Sequence, residues 1–125
     1  MIHLDTSFLI RAFESGSPHD RLLRKWFRAG ESLAMSSVSW TELLCGPIDV
    51  DHVGLARRVV AEIVPYAEDD ATLAAELFND SGRRRGSLVD CMIAATALRD
   101  GAAVATANPS DFRRFETSGL TVIVA

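Results

Sequence analysis

The chain has 125 residues, 48% hydrophobic and 24% charged, with a formal net charge of −4 at pH 7. That is one domain's length of globular composition, which excludes a disordered chain, a second ordinary domain, and a protein whose overall charge advertises nucleic-acid binding. No apolar stretch nears the roughly 20 residues needed to cross a bilayer, and the N-terminus lacks the basic, apolar, small-residue order of a secretory signal, so the expectation is a cytoplasmic protein with no membrane partner.

In chain order, Ile2–Leu4 reads as a first strand and Thr6–Phe13 as a helix, ended by the loop cluster around Gly16 and Pro18. His19–Arg28 is amphipathic: Arg21, Arg24, Lys25 and Arg28 lie opposite Leu22, Leu23, Trp26 and Phe27, and Gly30 stops it. Leu33–Ser36 reads as a second strand, Ser39–Cys45 as a short helix and Asp51–Glu62 as a longer one. Ile63–Tyr66 contains Pro65, which predicts an edge strand. Asp70–Phe78 is helical, with an arginine-rich exit loop, and Leu88–Arg99 is a strongly apolar helix ended by Gly101. Ala102–Thr106 is a strand, Pro109–Phe115 a short helix and Leu120–Val124 the last strand.

Strands that are continuous apolar runs, separated by helices, mark a parallel sheet covered on both faces. The expectation is one α/β domain over residues 1–125: a three-layer α/β/α sandwich around a parallel sheet of four to five strands. No repeat, low-complexity tract or linker interrupts it. In such sheets ligands bind beyond the carboxyl ends of the strands, where strand order reverses. Asp5 lies just past the first strand, at that rim.

Cys45 and Cys91 both sit in apolar helical settings and read as small core residues. His3, His19 and His52 are scattered, so no zinc spacing is present. His3, within the first strand, reads as a packed residue rather than a base. Trp40, beside Glu42, reads as core or interface, with base stacking as the alternative. Twelve of the 13 basic residues are arginine, and Arg83, Arg84 and Arg85 stand together between Gly82 and Gly86.

Polar anchors recur at loop-to-helix junctions: Asp5, Glu42, Asp90, and Asn108 with Asp111. Each has an ordinary explanation. Ser39 to Glu42 and Ser87 to Asp90 both fit a capping box, Asn108 precedes a Pro at a first helical position, and Asp5, Thr6 or Ser7 could cap the first helix. Together they point elsewhere. Carboxylates gathered at one sheet edge repel one another, and a hard divalent cation such as Mg²⁺ or Mn²⁺ removes the conflict.

Three stretches, "MIHLDTSFLI", "SSVSWTELLCG" and "SLVDCMIAATALRDGAAVATANPSDF", follow one another along almost the full length. In this order the chain resembles the PIN-domain ribonucleases, and among them the VapC-type toxins of bacterial toxin–antitoxin pairs. The resemblance implies a Mg²⁺- or Mn²⁺-dependent endoribonuclease that inhibits growth by cutting RNA. Asp5, Glu42 and Asp90 match the family's three acidic metal-site positions. Thr6 or Ser7 matches the hydroxyl after the first Asp, and Thr106 the hydroxyl before the fourth site. That fourth position holds Asn108 instead of an acid, with Asp111 three residues on, which puts a second metal ion in doubt.

By the same resemblance, Asp5 and Asp90 would hold the cation, and Glu42 would orient or deprotonate the attacking water, or bridge to a second ion. Thr6 or Ser7 would donate a hydrogen bond within the site, with Asp90 among the acceptors. Arg83, Arg84 and Arg85 are candidates to grip RNA phosphates, against the alternative of a solvated loop. The implied partners are an RNA substrate, a cognate VapB-type antitoxin and a second copy in a homodimer. Leu22, Leu23, Trp26 and Phe27 could supply a partner surface or simply core.

Two rival readings stand beside it. An aspartyl-phosphate phosphatase wants an acid two residues after the first Asp, where Ser7 stands, and a positioned lysine, of which Lys25 is the only one. A degenerate PIN module that binds RNA or an antitoxin without cleaving is suggested by Asn108 and opposed by Asp5, Glu42 and Asp90.

Overall fold

Ile2, His3 and Leu4 are all buried and form the central strand of a five-stranded sheet. In this computed structural model, which describes residues 1–125, the chain runs β1 (Ile2–Leu4), α1 (Thr6–Ala12), α2 (Pro18–Arg28), β2 (Leu33–Ser36), α3 (Ser37–Cys45), α4 (Val50–Val59), β3 (Glu62–Val64), α5 (Glu68–Asp80), α6 (Leu88–Arg99), β4 (Ala103–Ala105) and β5 (Val122–Ile123). Two 3₁₀ helices, Pro109–Asp111 and Arg113–Ser118, lie between β4 and β5. No helix is long and apolar enough to cross a membrane.

The strand order is β3-β2-β1-β4-β5, and every pairing is parallel. The chain lays β2 and β3 outward on one side of β1, then returns to place β4 and β5 on the other. The reversal therefore falls between β1 and β4, the position where open parallel sheets bind ligands. Leu4 is in register with Ala105, so Asp5 and Thr106 leave the sheet side by side.

Helices cover both faces. Phe8, Leu9, Leu23, Trp26, Leu43 and Ala56 bring α1 to α4 onto one side of the sheet, against Ile2, Leu4, Leu33 and Met35. Leu77, Cys91, Ile93, Ala94, Phe112 and Phe115 bring α5, α6 and the 3₁₀ segments onto the other, against Val104. The expected three-layer sandwich is present. Small Ala94, Ala95 and Ala97, all fully buried, let α6 lie close to its neighbours.

The boundaries differ where tertiary contacts override local pattern. The helix expected to reach Glu62 stops at Val59: Val60 turns into the core, Ala61 N–H bonds Leu33 O at 2.9 Å, and Glu62 pairs with Ala34 in β3. β3 is the edge strand, and it ends at Val64, just before Pro65. The expected helix Pro109–Phe115 is two 3₁₀ segments instead of one α-helix. Cys91 is buried, but Cys45 is exposed, which corrects its reading as core: of the run Leu43-Leu44-Cys45 only Leu43 faces inward. Leu23 and Trp26 are core, whereas Phe27 is 59% exposed.

Two polar contacts, an ion pair and a histidine–carboxylate contact, tie down α6. Asp70, with no exposed side-chain surface, accepts from Arg99 Nε, from Arg99 Nη2 at 3.1 Å and from Ala67 N–H at 2.8 Å. Burial opposes ionisation of Asp70, but the Arg99 and Ala67 donors outweigh it and hold its carboxyl below the usual range. His3, packed as expected, meets Asp100 at 2.9 Å, and burial keeps its pKa below the ordinary value despite that carboxylate.

Candidate active site

The capping explanation of the anchors fails in each case. Asp5 is the N-cap residue of α1, yet its carboxylate caps nothing. α3 begins three residues earlier than the box at Ser39 requires. Its cap is Ser36, whose Oγ accepts from Ser39 N–H at 3.0 Å, so Glu42 stands in the middle of the helix. Ser87 precedes α6 without a side-chain cap and donates its hydroxyl to Arg84 O at 2.6 Å. Asn108 likewise makes no cap. Elsewhere Ser17 and Asp49 cap α2 and α4 in the ordinary way. The side chains of the anchors are left over for something else.

Asp5 is the best defined. Only 6% of it is exposed. Ser7 Oγ donates to its Oδ2 at 2.6 Å and Thr106 Oγ1 donates to the same atom at 2.9 Å. Each hydroxyl also accepts a backbone N–H, Ser7 from Ala107 at 3.0 Å and Thr106 from Asn108 at 3.0 Å. Both hydroxyl protons are thus committed to Asp5, across the junction of β1 and β4, and Oδ1 takes no side-chain donor. Thr6 is not part of this arrangement: its hydroxyl donates to Ser39 O at 2.7 Å, tying α1 to α3. Ser7 bonds Asp5, not Asp90.

Asp5, Glu42, Asp90 and Asp111 feel one another's charge. Burial raises the Asp5 pKa, Ser7 and Thr106 partly offset this, and Asp111 adds repulsion. Glu42, the most exposed of the three raised acids, is pushed up by desolvation, then by Asp5 and Asp90. Asp90, half-buried in the first turn of α6, is raised to about 6 by burial, then by Asp111 and Asp5, while Arg114 and Arg84 pull it down. Asn108 is exposed, and its side chain makes no hydrogen bond. Asp111, three residues on, supplies the charge that Asn108 lacks.

The donors are oxygens alone, and they stop short of a preformed group of three Asp, Glu, His or Cys ligands. Three carboxylates whose ionised forms are disfavoured by burial and by neighbouring acids fit a hard divalent cation that keeps several waters. Basic groups border them. Left-handed backbone at Gly82 (φ 92°), Arg83 (φ 54°) and Gly86 (φ 81°) folds the arginine loop back toward α6, and only glycine adopts such angles freely. Within it Arg83 is occupied by Asn79 Oδ1 at 2.7 Å, Arg84 lies near enough to lower the Asp90 pKa, and Arg85 is exposed.

Sequence reasoning passed over Arg114, whose Nη2 stands 3.9 Å from Asp90 Oδ2. Its position just before the core residue Phe115 was the available signal. Trp40 is half-buried, with Arg57 stacked on its ring at 4.6 Å. None of the acids lines the apolar cleft of about 320 Å³ between α1, α2 and α4, where Leu9, Phe13, Leu23, Phe27 and Leu55 meet.

Comparison with known proteins bears on this arrangement. The chain is 29% identical to Ribonuclease VapC1 of Rickettsia felis, over 96% of this chain and 92% of that protein. Its fold is similar to that in a structure of VapBC2 from Rickettsia felis bound to a promoter DNA fragment (TM-score 0.75, 18% identity, 100% of this chain and 99% of that chain). A toxin-antitoxin complex from Klebsiella pneumoniae is similar too (TM-score 0.74, 23% identity, 98% and 96%). The PIN domain family matches residues 2–117, a span that takes in all four acids and four of the five strands, and the chain belongs to that family.

Proposed function

We propose that residues 1–125 work as a single PIN unit, a metal-dependent endoribonuclease that is the toxin of a type II toxin–antitoxin pair. The observation that carries this reading is a group of acids at the sheet's reversal point, none spent on capping, in which burial first and neighbouring carboxylates second raise the pKa of Asp5, Glu42 and Asp90. The name of the 29%-identical relative supports ribonuclease chemistry.

Asp5 and Asp90 would hold Mg²⁺ or Mn²⁺, with Asp111, and secondarily Asn108, adding oxygen donors. The cation would neutralise charge on the phosphodiester and lower the pKa of the attacking water. Ser7 and Thr106 fix Asp5 Oδ2 and leave Oδ1 for binding. Glu42, its pKa raised by burial and by Asp5 and Asp90 and its side chain open to solvent, would orient that water and accept its proton. Arg84 contributes a phosphate contact, Arg85 extends it, and Arg83 is held back by Asn79.

A VapB-type antitoxin is the proposed partner. The cleft between α1, α2 and α4 offers an amphipathic helix an apolar floor, with Asp20, Arg24, Arg28 and Arg58 at its rim. Exposed Leu44, Leu88 and Val89 offer apolar surface for a second copy in a homodimer.

Incubation with RNA in Mg²⁺, in EDTA and as Asp5→Asn checks the enzymatic reading. Cleavage is expected in the first, with a loss of about 100-fold or more in the other two. RNA or antitoxin binding without cleavage in any of them would leave the degenerate module. Equal cleavage in all three would put the activity elsewhere.

A further inference from the structure

We propose that Arg114 is a positioning residue for Asp90: its buried Nε–Nη2 edge takes one carboxylate oxygen and fixes the other for the cation. This rests on the metal-site reading above. Arg114 Nε and Nη2 are both buried, and neither has a hydrogen-bond partner. These two nitrogens form one edge of the guanidinium, the fork that matches a carboxylate. Unpaired buried donors are costly; the acid beside Nη2 is Asp90, whose Oδ2 lies 3.9 Å away, and the other polar neighbour is the Cys91 thiol, a weak acceptor.

The guanidinium is held in place from another side. Its Cζ lies 4.5 Å from the centroid of the Phe115 ring. Phe115 is 1% exposed and packs edge-on against Phe112 at 6.2 Å. A stacked, planar cation on a buried ring is a rigid stop for a neighbouring carboxylate. Arg113, one residue earlier, is exposed and meets only Glu116, at 3.5 Å. An RNA phosphate cannot be the ligand of this edge, because both nitrogens are shielded from solvent. The acceptor has to come from within the protein. Carboxylates that ligate metals are themselves hydrogen-bonded, and losing that support commonly weakens metal affinity 10–100-fold.

Mn²⁺ binding to the purified full chain, followed by isothermal titration calorimetry, tests the proposal with no reference to cleavage. Arg114→Met keeps the stem over Phe115 and removes the fork. It is expected to bind Mn²⁺ about tenfold more weakly or worse, and Arg114→Lys, which restores charge and one donor, to recover part of the loss. Should Arg114→Met fail to fold, Arg114→Gln carries the same expectation. Affinity unchanged within about twofold overturns the proposal while leaving the metal site standing. Tighter binding overturns it too, because Arg114 would then be a competitor for Asp90. A wild type that binds no Mn²⁺ overturns both the proposal and the metal-site reading beneath it.

Discussion

Asp70 and Asp90 occupy the same place in two neighbouring helices, the third residue of α5 and the third residue of α6. Asp70 reaches back to Ala67 N–H and is clasped by Arg99, and its pKa is held down. Asp90 does neither: Ser87 is turned to Arg84 O, Arg114 stands off at 3.9 Å, and burial, then the charges of Asp111 and Asp5, raise its pKa to about 6. One carboxylate closes the packing of α5 on α6. The other, with the same local sequence logic, is kept short of partners at the rim of the sheet. An acid that the fold leaves without a close hydrogen-bond partner, among other acids, fits the proposed cation site.

The largest expected effect lies on the structural side of this contrast. Asp70→Ala leaves Arg99 and Ala67 N–H without their acceptor in the α5–α6 contact, and removing one partner of a buried pair is strongly destabilising. The melting temperature should fall by about ten degrees or more. A drop of only a degree or two would make the Asp70 pair ornamental and the contrast empty.

A smaller effect of opposite sign is expected for Asp90→Asn in metal-free protein at pH 7. Removing a carboxylate whose charge is disfavoured in the fold should raise the melting temperature by a few degrees, even as cleavage is lost. The gain should depend on pH. A carboxyl with a folded pKa of about 6 binds its proton more tightly folded than unfolded. Its cost is therefore absent below about pH 4, grows as pH rises toward 6, and is full above that. The stability difference between wild type and Asp90→Asn should shrink from pH 7 to pH 4.5. Taking the difference cancels His3, whose lowered pKa pulls the opposite way as acid protonates the unfolded chain. Parallel pH profiles for the two proteins would contradict the assignment.

The fold was legible because the apolar runs Ile2–Leu4 and Leu33–Ser36 are strands buried along their whole length, and because Pro65 could end a strand only at an edge. What stayed hidden depended on partners far along the chain. Val60 looks helical until Leu33 supplies the acceptor that begins β3. The capping motifs at Ser39 and Ser87 were locally sound, but Ser36 took the first cap and Arg84 O took the second hydroxyl. That Asp5, Glu42 and Asp90 lie near one another could be expected from their places at strand ends and helix starts. Which hydroxyl serves Asp5 could not: Thr6 and Ser7 are adjacent, and only the helix path sends one to Ser39 and the other to Asp5. Arg113 and Arg114 look alike in sequence, and the 3₁₀ turn decides which is buried against Phe115.

Thermal melting of the wild-type chain and of Asp90→Asn, each titrated with Mn²⁺ from an EDTA-treated state, tests the central claim most directly. The wild type should gain stability that rises and saturates with Mn²⁺, following linkage of binding to the folded state. Asp90→Asn should start higher and gain little. An equal gain in both proteins, or none in the wild type, would contradict the view that these acids are left unpaired to hold a cation.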